Sequence, residues 1–255
     1  MPTALTVTLI TLNAGSCIRR CLESVQWADE IVVIDCGSTD ATLSIAKEFT
    51  TNIIHNDWLG YGPQKRFATA QARHDWILSL DADEWLSTEL AANIRNLMQK
   101  NPPHNAYTLI RCNRFMGKSL RHGEGYPDRI VRLFKRTHAD WSEDKIHEKV
   151  IIAGTIGDLS GDLFHESENG IAAYLEKQNN YTTLQAEDLY NKGKKINFWQ
   201  LLLSPSLRFI KFYFIRQGYR DGLPGLIHIV IGCFNSFVKY AKLLELNNTQ
   251  KPRKD

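Results

Sequence analysis

The sequence predicts an α/β protein, a mixed and mainly parallel sheet covered by helices and followed by a C-terminal helical extension. Three observations predict it. β-Branched, apolar runs alternate with helix-period segments over the first 90 residues. Asn13, Asp35 and the pair Asp81 and Asp83 stand directly after such runs. Open α/β sheets bind ligands at that position, beyond the carboxyl ends of their strands. From residue 192 onward the composition turns basic and rich in large apolar side chains.

Each element follows from its residues. Leu5 to Leu12 is β-branched and apolar, a strand, and Asn13 to Ser16 turns. Ile18, Cys21, Leu22 and Val25 recur at helical spacing. Glu30 to Asp35 is a second buried strand; Thr39 or Asp40 then caps a helix from Ala41 to Phe49. Thr51 to His55 is a third strand, and Trp76 to Asp81 a fourth. Ser87 or Thr88 caps a helix running to Lys100. The order β-α-β-α-β-loop-α-β belongs to parallel sheets covered by helices. Ala106 to Cys112 reads as a further strand, and Phe115 to Tyr126 as a basic loop with three glycines and Lys118, Arg121 and His122. Ile130 to Lys135 alternates apolar and basic residues, as a half-exposed strand does. Residues 1–190 are expected to form the main domain and 191–246 a basic, apolar helical tail. Residues 247–255 are expected to fray.

The strand Trp76 to Asp81 runs into two carboxylates one residue apart. In an extended chain, residues two apart point the same way, so Asp81 and Asp83 can converge on one point. Such oxygens suit Mg²⁺ or Mn²⁺, which keep positions open for phosphates. The plainer alternative is an acidic turn ahead of a helix. Trp85 then either offers its ring face to a ligand or packs in the core.

Composition fits a cytosolic enzyme. The chain of 255 residues is 43% hydrophobic, enough for a full core. Its five cysteines (17, 21, 36, 112 and 233) form no Cys-x-x-Cys pair, which suits reduced thiols. No secretory signal is expected, because the first apolar run is short and lacks a basic lead, and no apolar run reaches the ~20 residues of a membrane span. Charge is uneven. Residues 192–255 hold twelve Lys and Arg against three acids, +9 in a chain of net +3, leaving −6 for the rest. Basic residues beside Phe198, Trp199, Leu202 and Leu203 suggest a helix lying on an anionic membrane surface. The alternative is a helical hairpin with snorkelling Lys and Arg. Pro205 is expected in a first helical turn. No nucleic-acid module is visible.

The stretches Thr8-Leu9-Ile10-Thr11-Leu12-Asn13, Val32-Val33-Ile34-Asp35-Cys36-Gly37-Ser38-Thr39-Asp40-Ala41-Thr42 and Asp81-Ala82-Asp83 resemble the family 2 glycosyltransferases, nucleotide-sugar enzymes of the GT-A fold. The likeness continues through Tyr126 to Arg136 and Ile146 to Val150. There it is similar to the bacterial subgroup that builds lipopolysaccharide cores, including heptose β-1,4-glucosyltransferases. Many relatives carry Asp-Asp or Asp-Ser where this chain has Asp35-Cys36, so a second carboxylate near the uracil ring is missing.

The resemblance implies transfer of a hexose, glucose from UDP-glucose, with inversion, onto a lipid-linked saccharide at the cytoplasmic face of the inner membrane. It implies a Mg²⁺ or Mn²⁺ ion held by Asp83, with Asp81 on the metal's water or the ribose and His147 or His165 completing the shell. Thr11, Leu12, Asn13 and Asp35 would frame the nucleoside, and Lys65 would either reach the nucleotide or sit in a solvated helical turn. Glu148 is the first candidate for the base that takes the acceptor's proton, Asp128 the second, and the pair Glu143 and Asp144 a third. A polyprenyl-linked or capsule precursor is the alternative acceptor. A nucleotidyltransferase is the alternative of another class, although Asn13-Ala14-Gly15-Ser16-Cys17 lacks its basic phosphate loop.

Overall fold

The computed structural model describes residues 2–142, 148–166 and 170–249. By its internal contacts the chain divides into two compact units, Met1–Cys112 with Pro127–Glu166, and Asn113–Tyr126 with Ser167–Asp255. The break falls at residue 166, where composition suggested 190. The segment 167–190 therefore belongs with the tail, and so does the basic loop 113–126.

The first unit is built on one sheet. Its strands are β1 (Leu5–Thr11), β2 (Glu30–Asp35), β3 (Ile53–His55), β4 (Trp76–Asp81), β5 (Glu84–Leu86), β6 (Ala106–Phe115), β8 (Asp128–Lys135) and β11 (Ile156–His165). The order across the sheet is β3-β2-β1-β4-β8-β6-β11-β5. The first four are parallel; β8 runs antiparallel to β4, β6 to β8, and β5 to β11. All seven residues of β1 are buried, as a strand covered on both faces requires. Its side chains alternate between two cores. Leu5, Val7 and Leu9 pack with α1 (Ile18–Val25), α2 (Thr42–Ala46) and α4 (Thr88–Gln99). Ile10 packs with Val32, Ile34 and Ala68 of α3 (Tyr61–Ala70). A small pair, β9 (Ala139–Trp141) and β10 (Val150–Ile152), lies beside Phe134 and Ile77.

The second unit holds α5 (Ile171–Asn191), α6 (Phe198–Phe209) and α7 (Gly222–Thr249), together with the two-residue strand β7 (Lys118–Ser119), which pairs with the end of β6. Asn197 and Gln200 form a reciprocal capping box at the start of α6. Pro205 lies inside α6, not in its first turn. Its missing N–H leaves one carbonyl unpaired, and past Phe209 the helix widens through Ile210–Ile215. The helical stretch Gly218–Thr249 has 32 residues and contains an 18-residue window with a mean hydropathy of 1.3, long and apolar enough by composition to cross a membrane. No unbroken apolar run marks it, because Gly, Asn, Ser and His interrupt it without adding charge.

Candidate active site

The carboxyl ends of β1, β2 and β4 carry the residues singled out by the sequence. Thr11 closes β1, and its carbonyl accepts from the Cys36 amide at 3.0 Å. Leu12 is half exposed. Asn13 adopts φ 50°, a conformation that Asn tolerates. Its side-chain oxygen accepts from the Thr39 amide at 2.9 Å, and its own amide donates to Ser38 Oγ at 2.9 Å. Asp35 is buried and accepts from the amides of Gly37 and Ser38, both at 2.9 Å. The loops after β1 and β2 are thus tied to each other. Burial first, then Asp35, pushes the Cys36 thiol up, so it is a neutral thiol at pH 7 and a hydrogen-bond partner of Gln64 at 3.1 Å.

Lys65 does not reach out of α3, nor does it sit in a solvated turn. It is 1% exposed. Its ammonium lies 2.9 Å from Asp81 Oδ1 and 2.7 Å from Glu148 Oε1, with the Trp141 ring centre at 5.1 Å. Asp81 also accepts from Arg132 Nη2 at 2.6 Å, and the same nitrogen reaches Glu84 Oε1 at 2.8 Å. Glu84 is fully buried, accepts from the Asp81 amide at 3.1 Å, and lies 3.7 Å from Arg111. Arg111 in turn holds Asp128 at 2.7 Å. One chain of ion pairs, Glu148–Lys65–Asp81–Arg132–Glu84–Arg111–Asp128, therefore joins the first two candidate bases to the first acid of Asp81-Ala82-Asp83. Burial alone would raise the Asp81 carboxyl; Arg132 and Lys65 outweigh it and hold that carboxyl well below the usual carboxylate range.

Asp83 takes a different partner. β4 ends at Asp81, and Ala82-Asp83 turn before β5 begins. The chain does not stay extended through the pair, and Asp83 Oδ2 sits 3.4 Å from His165 Nε2 at the end of β11. Both side chains are partly open to solvent. A carboxylate beside an imidazole suits Mn²⁺. Among the described residues no group of three or more His, Cys, Asp or Glu converges on a metal position. An ion held by Asp83 and His165 would complete its shell with phosphate oxygens and water. The donor set fits a divalent cation on those terms, with Asp81 already committed to two cationic side chains. His147, Glu143 and Asp144 lie outside the described residues.

Trp85 lies on β5, with the Arg20 guanidinium 4.4 Å from its ring centre and Phe164 at 5.6 Å. Arg20 is itself paired with Glu166 at 2.9 Å. A sugar stacking on that face of Trp85 would have to displace Arg20. Arg132, Glu84 and Arg111 were not legible in the sequence. Arg132 falls in an alternating apolar and basic run that suggested exposure, yet it is buried. The one available signal was Glu84, three residues after Asp81.

A mixed sheet, parallel and covered on both faces through β3-β2-β1-β4, with loops gathered at that carboxyl edge and an acidic turn after β4, is the arrangement of a GT-A nucleotide-sugar transferase. The family model "Glycosyl transferase family 2" matches residues 6–155. An uncharacterised glycosyltransferase of Rickettsia typhi is 32% identical over 94% of this chain and 86% of its own. The lipopolysaccharide core biosynthesis glycosyltransferase LpsC of Rhizobium meliloti is 28% identical over 93% of this chain and 90% of its own. A mannosyltransferase from Pyrobaculum calidifontis, solved with GDP-mannose and Mn²⁺, superposes with a TM-score of 0.50 at 13% identity, covering 100% of this chain and 90% of that one. The chain belongs to glycosyltransferase family 2, which decides the class of chemistry against nucleotidyl transfer.

Proposed function

We propose that this protein is a metal-dependent, inverting hexosyltransferase that moves glucose from UDP-glucose onto a lipid-linked saccharide of the lipopolysaccharide inner-core type. It works as a peripheral protein at the cytoplasmic face of the inner membrane. The observation that carries the proposal is the junction of Glu148, through Lys65, with Asp81 at the end of β4, two residues before Asp83 and its partner His165. The name of the Rhizobium relative supports the acceptor class, and the basic, aromatic tail supports a lipid-linked one.

In this mechanism Thr11, Leu12, Asn13 and Asp35 hold the nucleoside at the ends of β1 and β2. Asp83 and His165 would hold the divalent ion, whose positive charge would favour departure of the nucleoside diphosphate. Asp81, fixed by Lys65 and Arg132, faces the ribose side. Glu148, its Oε1 held by Lys65 at 2.7 Å, takes the proton of the acceptor hydroxyl with its other oxygen as that hydroxyl attacks the sugar carbon. Asp128, bound by Arg111, organises the far end of the same network.

Calorimetric titration of UDP and UDP-glucose with and without Mn²⁺ tests the donor half. Metal-dependent binding that disappears in Asp83→Ala is the expected outcome. Absence of binding by any uridine nucleotide would overturn the donor assignment.

A further inference from the structure

The second unit leaves a continuous apolar face uncovered. Trp199, Leu203, Leu207, Ile210 and Phe214 are all about half exposed or more. Their spacing of four, four, three and four residues places them on one side of α6 and its widened continuation. Lys194 and Lys195 precede this stripe, and Lys211 and Arg216 flank its end. Resting on the membrane contact proposed above, we infer that this face of α6 and its continuation lies in the plane of an anionic phospholipid surface, and that α7 does not cross the bilayer.

The case against crossing comes from what α7 holds. α5 packs along it. Asn235 donates to Gln178 at 2.9 Å, and the Lys242 ammonium is held by Asn179, Thr182 and Thr183 of α5 at 2.7–3.0 Å. α5 carries Glu176, Lys177, Glu187 and Asp188, charges that hydrocarbon excludes. A helix bound to α5 by these contacts stays at the water side or the interface. The case for lipid, rather than a second copy, is charge. Lys194, Lys195, Lys211 and Arg216 stand exposed beside the stripe, so pairing two such faces would set like charges together, whereas anionic headgroups complement them. Trp and Phe beside Lys suit the boundary between headgroup and acyl chain.

Sedimentation of the full chain with vesicles tests the inference. The chain should bind phosphatidylglycerol-containing vesicles, bind pure phosphatidylcholine vesicles far less, and be released by alkaline carbonate. The triple variant Trp199→Ser, Leu207→Ser, Phe214→Ser should weaken binding by roughly tenfold or more while UDP titration is unchanged. Should that variant misfold, the charge reversals Lys194→Glu, Lys195→Glu and Lys211→Glu should lower binding and flatten its salt dependence. Loss of all vesicle binding by the wild type would remove the membrane contact itself. Binding that survives both sets of substitutions would leave that contact standing and overturn the assignment to α6. Retention after the carbonate wash would show that α7 spans. A wild-type dimer that the triple variant converts to monomer, with no vesicle binding, would make the stripe an interface between copies.

Discussion

Glu148 and Lys65 are separated by 83 residues in sequence, yet their charged atoms lie 2.7 Å apart. An ammonium that is 1% exposed cannot be left without a carboxylate, because an unpaired buried charge costs roughly 3–5 kcal/mol. Glu148→Gln keeps a side-chain oxygen for Lys65, and Asp81 remains at 2.9 Å; the fold therefore tolerates the substitution. As the proposed base, Glu148 contributes through proton transfer, whose removal costs about 10²–10⁴-fold in rate. Glu148→Gln is expected to lower kcat within that range with UDP affinity unchanged, read by steady-state kinetics beside calorimetry. A larger loss in Asp128→Asn would move the role to Asp128. At this scale Asp81 was legible because β4 ends on it, whereas Asp83 follows a turn and pairs with His165 instead of converging with Asp81. Lys65 was not legible, since a lysine early in a helix defaults to solvent and its partners come from distant strands. Arg132 was hidden because its partners Asp81 and Glu84 lie on other strands.

At the start of α4, β11 is met by the backbone and the hydroxyl of Ser87. The Ser87 amide donates to the Asp162 carbonyl at 2.9 Å, and Ser87 Oγ accepts from the amides of Leu90 and Asp162, both at 3.1 Å. One hydroxyl thus caps the helix and docks the strand. The contact requires glycine at 161. Its φ is +98°, and a Cβ there would stand 2.6 Å from the Leu90 amide nitrogen. Gly161→Ala is expected to destabilise the protein by at least about 2 kcal/mol, measured by urea unfolding, since both backbone strain and a clash with backbone oppose it. Legibility followed length. β1, β2, β4 and α4 were readable from continuous apolar or helical patterns, and Ser87 as a cap from its position. β5, three residues long, passed for the approach to a helix. The helix after Asp40 is shorter than its pattern, Thr42–Ala46. Gly222-Leu223-Pro224-Gly225 opens α7, where a proline in the first turn costs no hydrogen bond.

The two units answer acid in different pH windows because their buried ionisable groups, both shifted downward, start from different ordinary values. In the first unit, Asp81 is held well below its ordinary value of 3.8, so what it adds to stability is complete above that pH and is lost only in stronger acid. In the second unit, His228 lies between the rings of Phe115 and Tyr174. Burial first, and then Arg208, pushes it from 6.5 down to about 4, with Asp221 opposing. The unfolded chain binds that proton near pH 6.5 and the folded chain only near pH 4. Stability is therefore whole above 6.5 and falls as the pH drops toward 4, by about 3 kcal/mol. Hydrogen exchange, corrected for intrinsic rates, should show α7 losing protection between pH 7 and pH 4.5 while β1 and β2 keep theirs. His228→Leu, which removes the titrating ring and keeps an apolar side chain among the two aromatics, should flatten the response of α7. An equal acid response in the variant would place the sensitivity in other groups of the second unit.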